Sequence, residues 1–388
     1  MSETSPKSNP RAVPSGDGAP VPHGFNKRRI IAVASIVVVI AAVLGIVLSK
    51  SSTKNTPTST PASTTTPSHV SGSFASFAKN ICPLTDTPAP GGIAPARPAL
   101  AVKIGNEPQG ARPQSGLNAA DIVYDTPAEG GVMRYVAVYQ CDNATAIGPT
   151  RSVRYVDWHI IRQFVHPILA YANGIIPDVN VVDASKWISS ADLLTNAAKA
   201  TYRTTDRQPP DNLYTSTAQL YSLFPAATTP PPPVFRYSTT TPAGAKPISH
   251  VEINFSYNTD VVWTWTSTDW THSYANGSSL SPDIDNLSNT QVTTDNVVIE
   301  IVKYHFGRWP ESPGATGDVE SQTLGSGPGY ILRDGTMIRV TWHRHSLINP
   351  DTFTNAAGQP VALAPGRTWV EMLLNSTAKN SGALTFTS

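Results

Sequence analysis

Charge is scarce in this chain. Only 14% of its 388 residues are Asp, Glu, Lys or Arg, the formal net charge is +1, and no basic block stands outside the extreme N-terminus. A nucleic-acid surface needs a concentrated positive field, so nucleic acid is set aside as a partner. Cysteine is scarcer still. Cys82 and Cys141 are the only two, and they lack the close spacing of a zinc site or a redox pair. On an exported chain a single disulfide between them is the expected reading, with two buried free thiols as the alternative. Signatures of catalysis are missing as well: the chain has no serine nucleophile elbow, no HExxH helix and no paired-cysteine nucleophile. Gly325-Ser326-Gly327-Pro328-Gly329 lacks the lysine and the strand-to-helix setting of a phosphate loop, and reads as a turn between strands. His343 and His345 share one strand face without a third ligand, so no metal is expected, and no cofactor either.

What the chain does have begins with a long apolar run. Ile30 to Leu48 is nineteen residues without a charge, and at about 1.5 Å per residue such a helix just crosses a hydrocarbon core of about 30 Å. Lys27, Arg28 and Arg29 precede it, while a neutral Ser/Thr/Pro stretch follows. That bias keeps the N-terminus cytoplasmic and puts the rest outside a plasma membrane. A cleaved signal peptide is the rival reading, and the length of the run favours an uncleaved single-pass anchor.

The rest divides by composition. Residues 1–29 read as a disordered cytoplasmic tail and 49–73 as a Ser/Thr/Pro-rich linker. Residues 74–230 alternate strand-like runs (99–104, 121–125, 132–140, 168–173) with helical spacing over Val153 to Phe164, Ala184 to Asn196 and Leu213 to Phe224. Four prolines from Pro230 open a stiff joint over 231–248. Residues 249–388 read as strands, with tight turns at Asn276-Gly277 and Asp334-Gly335 and a closing strand from Trp369 to Leu374. The fold class is α+β: a mixed α/β N-terminal domain followed by a mostly β C-terminal domain, on a single transmembrane anchor.

The densest polar stretch is Arg112 to Arg154. Arg134 falls on an apolar strand face with Val132, Val136 and Val138, where an unpaired guanidinium would cost several kcal/mol. Glu129, Asp125 and Asp121 are its expected partners. Arg151 and Arg154 stand one helical turn apart at an expected helix start, a spacing that suits a phosphate or carboxylate. The candidate ligand-binding set is therefore Arg134, Arg151, Arg154, Glu129 and Asp125, and a purely structural ion-pair network is its competitor. A second cluster holds Arg203, Arg207, Asp211, Asn212 and Tyr214, with Asp211 read as the N-cap of the following helix.

Several blocks together, ARPQSGLNAADIVYDTPAEGGVMRYVAVYQ, IGPTRSVR, PPDNLYTS, NVVIEIV, GSGPGYILRDGTMIRVTWHR and APGRTWVEM, resemble the YerB-like proteins in order. The resemblance covers the chain from about residue 80 to 375. It implies a two-domain, membrane-tethered protein of the bacterial cell surface, close to cell-wall synthesis, in a family whose members are often lipoproteins and whose domains have no assigned activity. The chain departs from that pattern at Gly105, where an acid is common, and at Asp211, where a histidine is common. The expectation is a non-catalytic protein that binds an anionic envelope component or a cell-wall synthesis partner. The alternative is a hydrolase or phosphotransferase acting on phosphate-bearing wall precursors, with Asp125 or Glu129 as base.

Overall fold

The computed structural model describes residues 78–255, 260–378 and 383–388. The expected tail, apolar run and linker lie outside the described residues. Among those described, no helix is long and apolar enough to cross a membrane.

In the N-terminal half, the strands that join one sheet are β1 (Leu100–Ile104), β2 (Ile122–Pro127), β3 (Met133–Tyr139), β4 (Ile168–Tyr171) and β5 (Ser189–Asp192), and Tyr202–Arg203 pairs with Leu213–Tyr214 apart from them. Three short helices accompany them: α1 (Tyr155–Ile161), α2 (Ile176–Asp183) and α3 (Thr217–Ser222). β3 lies antiparallel between β1 and β2, while β4 runs parallel to β1 and β5 parallel to β4. Of β1 to β5, all but β3 therefore point the same way. β1, β3 and β4 are nearly continuous apolar runs because both faces of this sheet are covered.

The C-terminal half adds β6 (His250–Asn254), β7 (Asp260–Trp265), β8 (Trp270–Asn276), β9 (Ser279–Pro282), β10 (Asn296–Val302), β11 (Tyr304–Pro310) and β12 (Gly317–Ser321). It continues with β13 (Gly325–Arg333), β14 (Thr336–Arg344), β15 (Thr352–Thr354), β16 (Thr368–Leu374) and β17 (Leu384–Thr387). Asp334 (φ 48°) and Gly335 (φ 64°) form the tight turn between β13 and β14 that the sequence predicts.

The expected closing strand is the finding that matters most for the architecture. β16 is not at an edge: it inserts between β10 and β2, parallel to both. One twelve-stranded sheet thus runs β15-β14-β13-β10-β16-β2-β3-β1-β4-β5, with two further two-residue strands on β14 and β15. The run TWVEMLL is buried almost throughout, which only a central strand can satisfy on both faces. One face of the sheet packs on the six-stranded sheet built from β9-β8-β7-β6-β17 with the two-residue strand Thr293–Thr294 on β8, through Val123, Tyr135, Trp263, Trp270 and Trp369. Opposite it, Tyr124, Val136, Val138, Val298 and Trp342 share a core with Val156 and Ile160 of α1.

Several local expectations change. The helix placed over Ala184 to Asn196 is instead α2, which ends at Asp183, followed by strand β5. Ser185 Oγ accepts from the N–H groups of Trp187 and Ile188 (3.1 and 3.2 Å), turning the chain before ISSAD joins the sheet edge. The run Leu213 to Phe224 splits into a short strand and α3, whose N-cap is Ser216, accepting from Gln219 N (3.2 Å), and not Asp211. Gly325 to Gly329 is no turn but the first half of β13. A Cβ on Gly327 would stand 2.6 Å from Trp342 Nε1 and 2.7 Å from the Ile301 carbonyl, so the glycine admits the tryptophan against the sheet. Cys82 and Cys141 form the expected disulfide.

Candidate functional site

Parallel strands leave a crevice at their carboxyl ends, where open sheets commonly hold ligands. Here the crevice collects ion pairs. Alternation along β2 sends Asp125 and Thr126 to opposite faces, and the register sets Thr126 against Arg134 and Asp125 against Tyr135. Thr126, Arg134 and Lys103 of β1 consequently face α1, whereas Asp125 faces the six-stranded sheet.

On the α1 side, Lys103 is fully buried and donates to Asp157 Oδ1 (2.6 Å) and Thr126 Oγ1 (2.8 Å). Burial lowers its pKa against the opposing pull of Asp157. Asp157 Oδ2 accepts from Arg154 N (2.8 Å) and so caps α1. Arg154 itself is 1% exposed, and its Nε donates to Glu129 (2.6 Å) while Nη2 donates to Glu311 (2.5 Å). Arg134 donates to Glu107 (3.0 Å), which also lies 3.4 Å from Arg151 Nε, and Arg151 Nη2 donates to Asp211. Burial works to raise the carboxyls of Glu107 and Glu129, yet the guanidiniums beside them, Arg134 and Arg151 for the first and Arg154 for the second, hold both below the ordinary range.

The structure therefore brings Arg134, Arg151, Arg154 and Glu129 into one network and leaves Asp125 out of it. The expected partner of Arg134 is also replaced: Glu107, three residues past the end of β1, takes that role. Nor do Arg151 and Arg154 share a helix turn. Residues 150–153 are extended, because Arg151 N donates to Lys103 O (2.9 Å) and Ala172 N to Arg151 O (2.8 Å), stitching the segment between the ends of β1 and β4. α1 starts only at Tyr155 and spans seven residues. Both positions where the sequence departs from the YerB-like pattern border Arg151. A Cβ on Gly105 would stand 2.9 Å from Arg151 Cγ and 2.8 Å from Glu107 Oε2, and Asp211 pairs with the guanidinium from the other side. In the second expected cluster, Arg203 donates to Asn212 (2.6 Å) and Arg207 to the backbone carbonyls of Gly110, Ala111 and Pro113.

Sequence reasoning missed Lys103, Glu107 and Glu311. A lone lysine in LAVKI was a legible signal, since a cation inside an apolar strand needs a buried partner. Glu311 left none: it arrives on the β11–β12 hairpin, 157 residues from Arg154.

Across the sheet, Asp125 stands opposite Glu371 of β16, both fully buried. Trp263 Nε1 donates to Glu371 (2.7 Å), while neither oxygen of Asp125 meets a conventional donor among the described residues. Burial raises both carboxyls, and the neighbouring Glu371 raises Asp125 further.

Two domain families match the chain. One, described as "Protein of unknown function (DUF3048) N-terminal domain", covers residues 84–229, and its C-terminal counterpart covers 251–370. "Putative lipoprotein YerB" of Bacillus subtilis (strain 168) is 24% identical over 302 residues, 75% of this chain and 85% of that protein. The crystal structure of YerB from Bacillus subtilis superposes with a TM-score of 0.66 at 20% identity, covering 79% of this chain and 99% of that one.

Proposed function

Because this chain belongs to the YerB-like family of paired DUF3048 domains, we propose that it is a membrane-tethered, extracytoplasmic binding protein whose arginine cluster receives an anionic envelope component. Three features support the location. The relative's printed name is that of a lipoprotein, the chain carries a disulfide suited to an oxidising compartment, and Ile30 to Leu48 has the length of a single-pass anchor.

The binding reading rests on one observation. Arg154 is buried and held from inside by Glu129, but its second carboxylate, Glu311, comes from a hairpin tip and is 43% exposed. A groove of about 420 Å³ lined by Ser152, Asn173, Gly174, Trp309 and Glu311 itself opens beside this outer carboxylate. An incoming phosphate or carboxylate can take the place of Glu311 on the Arg154 guanidinium, exchanging one anionic partner for another. The reading is of binding and not of turnover, since Glu129 is engaged by Arg154 and Asp125 lies on the other face.

The test is Glu311→Gln in the full chain, titrated with inorganic pyrophosphate and with a glycerol-phosphate polymer. Removing the internal competitor should tighten binding roughly two- to fivefold, the range of a partly exposed ion pair, and Arg154→Lys should weaken it. No binding by the wild type, or equal affinity in Glu311→Gln, refutes the proposal.

A further inference from the structure

A second cleft, of about 620 Å³, opens beside the six-stranded sheet, away from the arginine network, between the loop carrying Arg112 and the β8–β9 hairpin. Its floor is built from fixed charges of opposite sign. The Arg112 guanidinium lies flat on the Tyr274 ring, 3.4 Å from the centroid, and its Nε donates to Asn106 Oδ1 (2.9 Å). Arg207 clamps the same loop through three backbone carbonyls. Held by its face and one edge, the guanidinium keeps Nη2 buried with no partner among the described residues.

Asp283 completes the floor. It is 1% exposed, and its Oδ2 lies 2.9 Å from His272 Nδ1 and accepts from Tyr274 OH (3.1 Å). Both contacts fall on one oxygen, which fixes the carboxylate and leaves Oδ1 without a partner among the described residues. Tyr274 links the two charges, because its ring carries Arg112 and its hydroxyl reaches Asp283. Arg112 and Asp283 both line the cleft, and each keeps one buried atom unpartnered among the described residues, which is costly unless a ligand meets it.

We propose that this cleft binds the head group of an α-amino acid. The ligand must bring an acceptor to Arg112 and a donor to Asp283. A simple anion would leave Asp283 unpaired and would be repelled by it, and a simple cation would do the same to Arg112. A zwitterion meets both, with its carboxylate against Arg112 Nη2 and its ammonium against Asp283 Oδ1. Pro108, Pro113, Pro282 and Ile284 supply an apolar wall, and the cleft is large enough to leave room for a side chain.

The experiment titrates the full chain by calorimetry with the common α-amino acids in both enantiomers. It then tests the tightest binder against its carboxamide, its deaminated acid and glucose. Binding of the amino acid, with each of the other three at least tenfold weaker, is expected. Arg112→Gln and Asp283→Asn should each weaken that amino acid at least tenfold, with circular dichroism and thermal melting reporting whether the variant is folded. Absence of binding by every amino acid overturns the proposal, and so does a carboxamide, deaminated acid or glucose that binds as well as the parent. These comparisons use the wild-type chain and stand even where a variant does not fold.

Discussion

The two faces of the central strands carry polar clusters of opposite kind. On the α1 face, each of Lys103, Arg134, Arg151 and Arg154 has a carboxylate within 3.4 Å. Toward the six-stranded sheet, atoms of Asp125, Arg112, Asp283 and His272 are buried and unpartnered among the described residues. Burying a charge is expensive in either case, but in the first cluster each cation faces a carboxylate of the chain itself, even though single atoms such as Arg134 Nη1 stay unpartnered among the described residues. A network of paired charges binds by exchange, replacing one of its own carboxylates, whereas a cluster of unpaired ones binds by addition. Density of charged residues in the sequence finds the first kind and passes over the second.

The comparison breaks most sharply at Lys103. If the α1-side network is held by mutual pairing, Lys103→Met strands a buried Asp157 carboxylate and should cost about 3–5 kcal/mol, read as a lowered midpoint in urea. Adding Asp157→Asn removes the stranded charge while an amide oxygen still accepts from Arg154 N. The double variant should therefore recover a substantial part of the loss. A double variant as unstable as the single one would mean that packing, not charge pairing, holds this face.

Asp125 tests the other side through pH. Its carboxyl and that of Glu371 both titrate above their ordinary values, so the folded chain holds a proton that the unfolded chain releases once the pH exceeds about 4. Stability from this pair is complete below that point and is lost as pH rises through the folded values. Asp125→Asn imitates the protonated carboxyl at every pH. It should leave stability nearly unchanged at pH 4 and raise it by about 1–2 kcal/mol at pH 8, measured as the difference in melting curves. A loss of stability that is the same at both pH values would show that folding does not raise these carboxyls.

How much of this the sequence reveals follows the range of the contact. Strands β1 to β4, the Asp334-Gly335 hairpin and the Cys82–Cys141 bridge were legible, because periodicity, turn chemistry and a single cysteine pair are local or exclusive signals. The gathering of Arg134, Arg151, Arg154 and Glu129 was legible too, as a density of opposite charges. Glu107, Glu311 and the place of β16 were not. Each depends on which distant segment the sheet topology delivers, and nothing around Trp369 distinguishes a closing strand from one inserted between the two domains. The Arg112–Tyr274–Asp283 floor escaped for the same reason: Arg112 and Tyr274 meet only after β8 has paired into the second sheet. Asp211 was misread because a residue shortly before a helix fits an N-cap as well as it fits an ion pair.

The smallest effect belongs to Asp211 and bears on whether exchange is possible at all. Its side chain is 16% exposed, and the Arg151 guanidinium it meets keeps Glu107 at 3.4 Å and donates from Nη1 to the Pro210 carbonyl (3.0 Å). Losing one of several partners at the edge of a network should cost no more than about 1 kcal/mol, so Asp211→Asn should shift the melting temperature only slightly. It should also leave Arg151 more available and raise pyrophosphate affinity in the same direction as Glu311→Gln, by less. A cost approaching that of Lys103→Met would place Asp211 among the interior pairs. The outer carboxylates would then be as fixed as the inner ones, and the distinction between a network that exchanges and one that merely holds the strand ends together would fall.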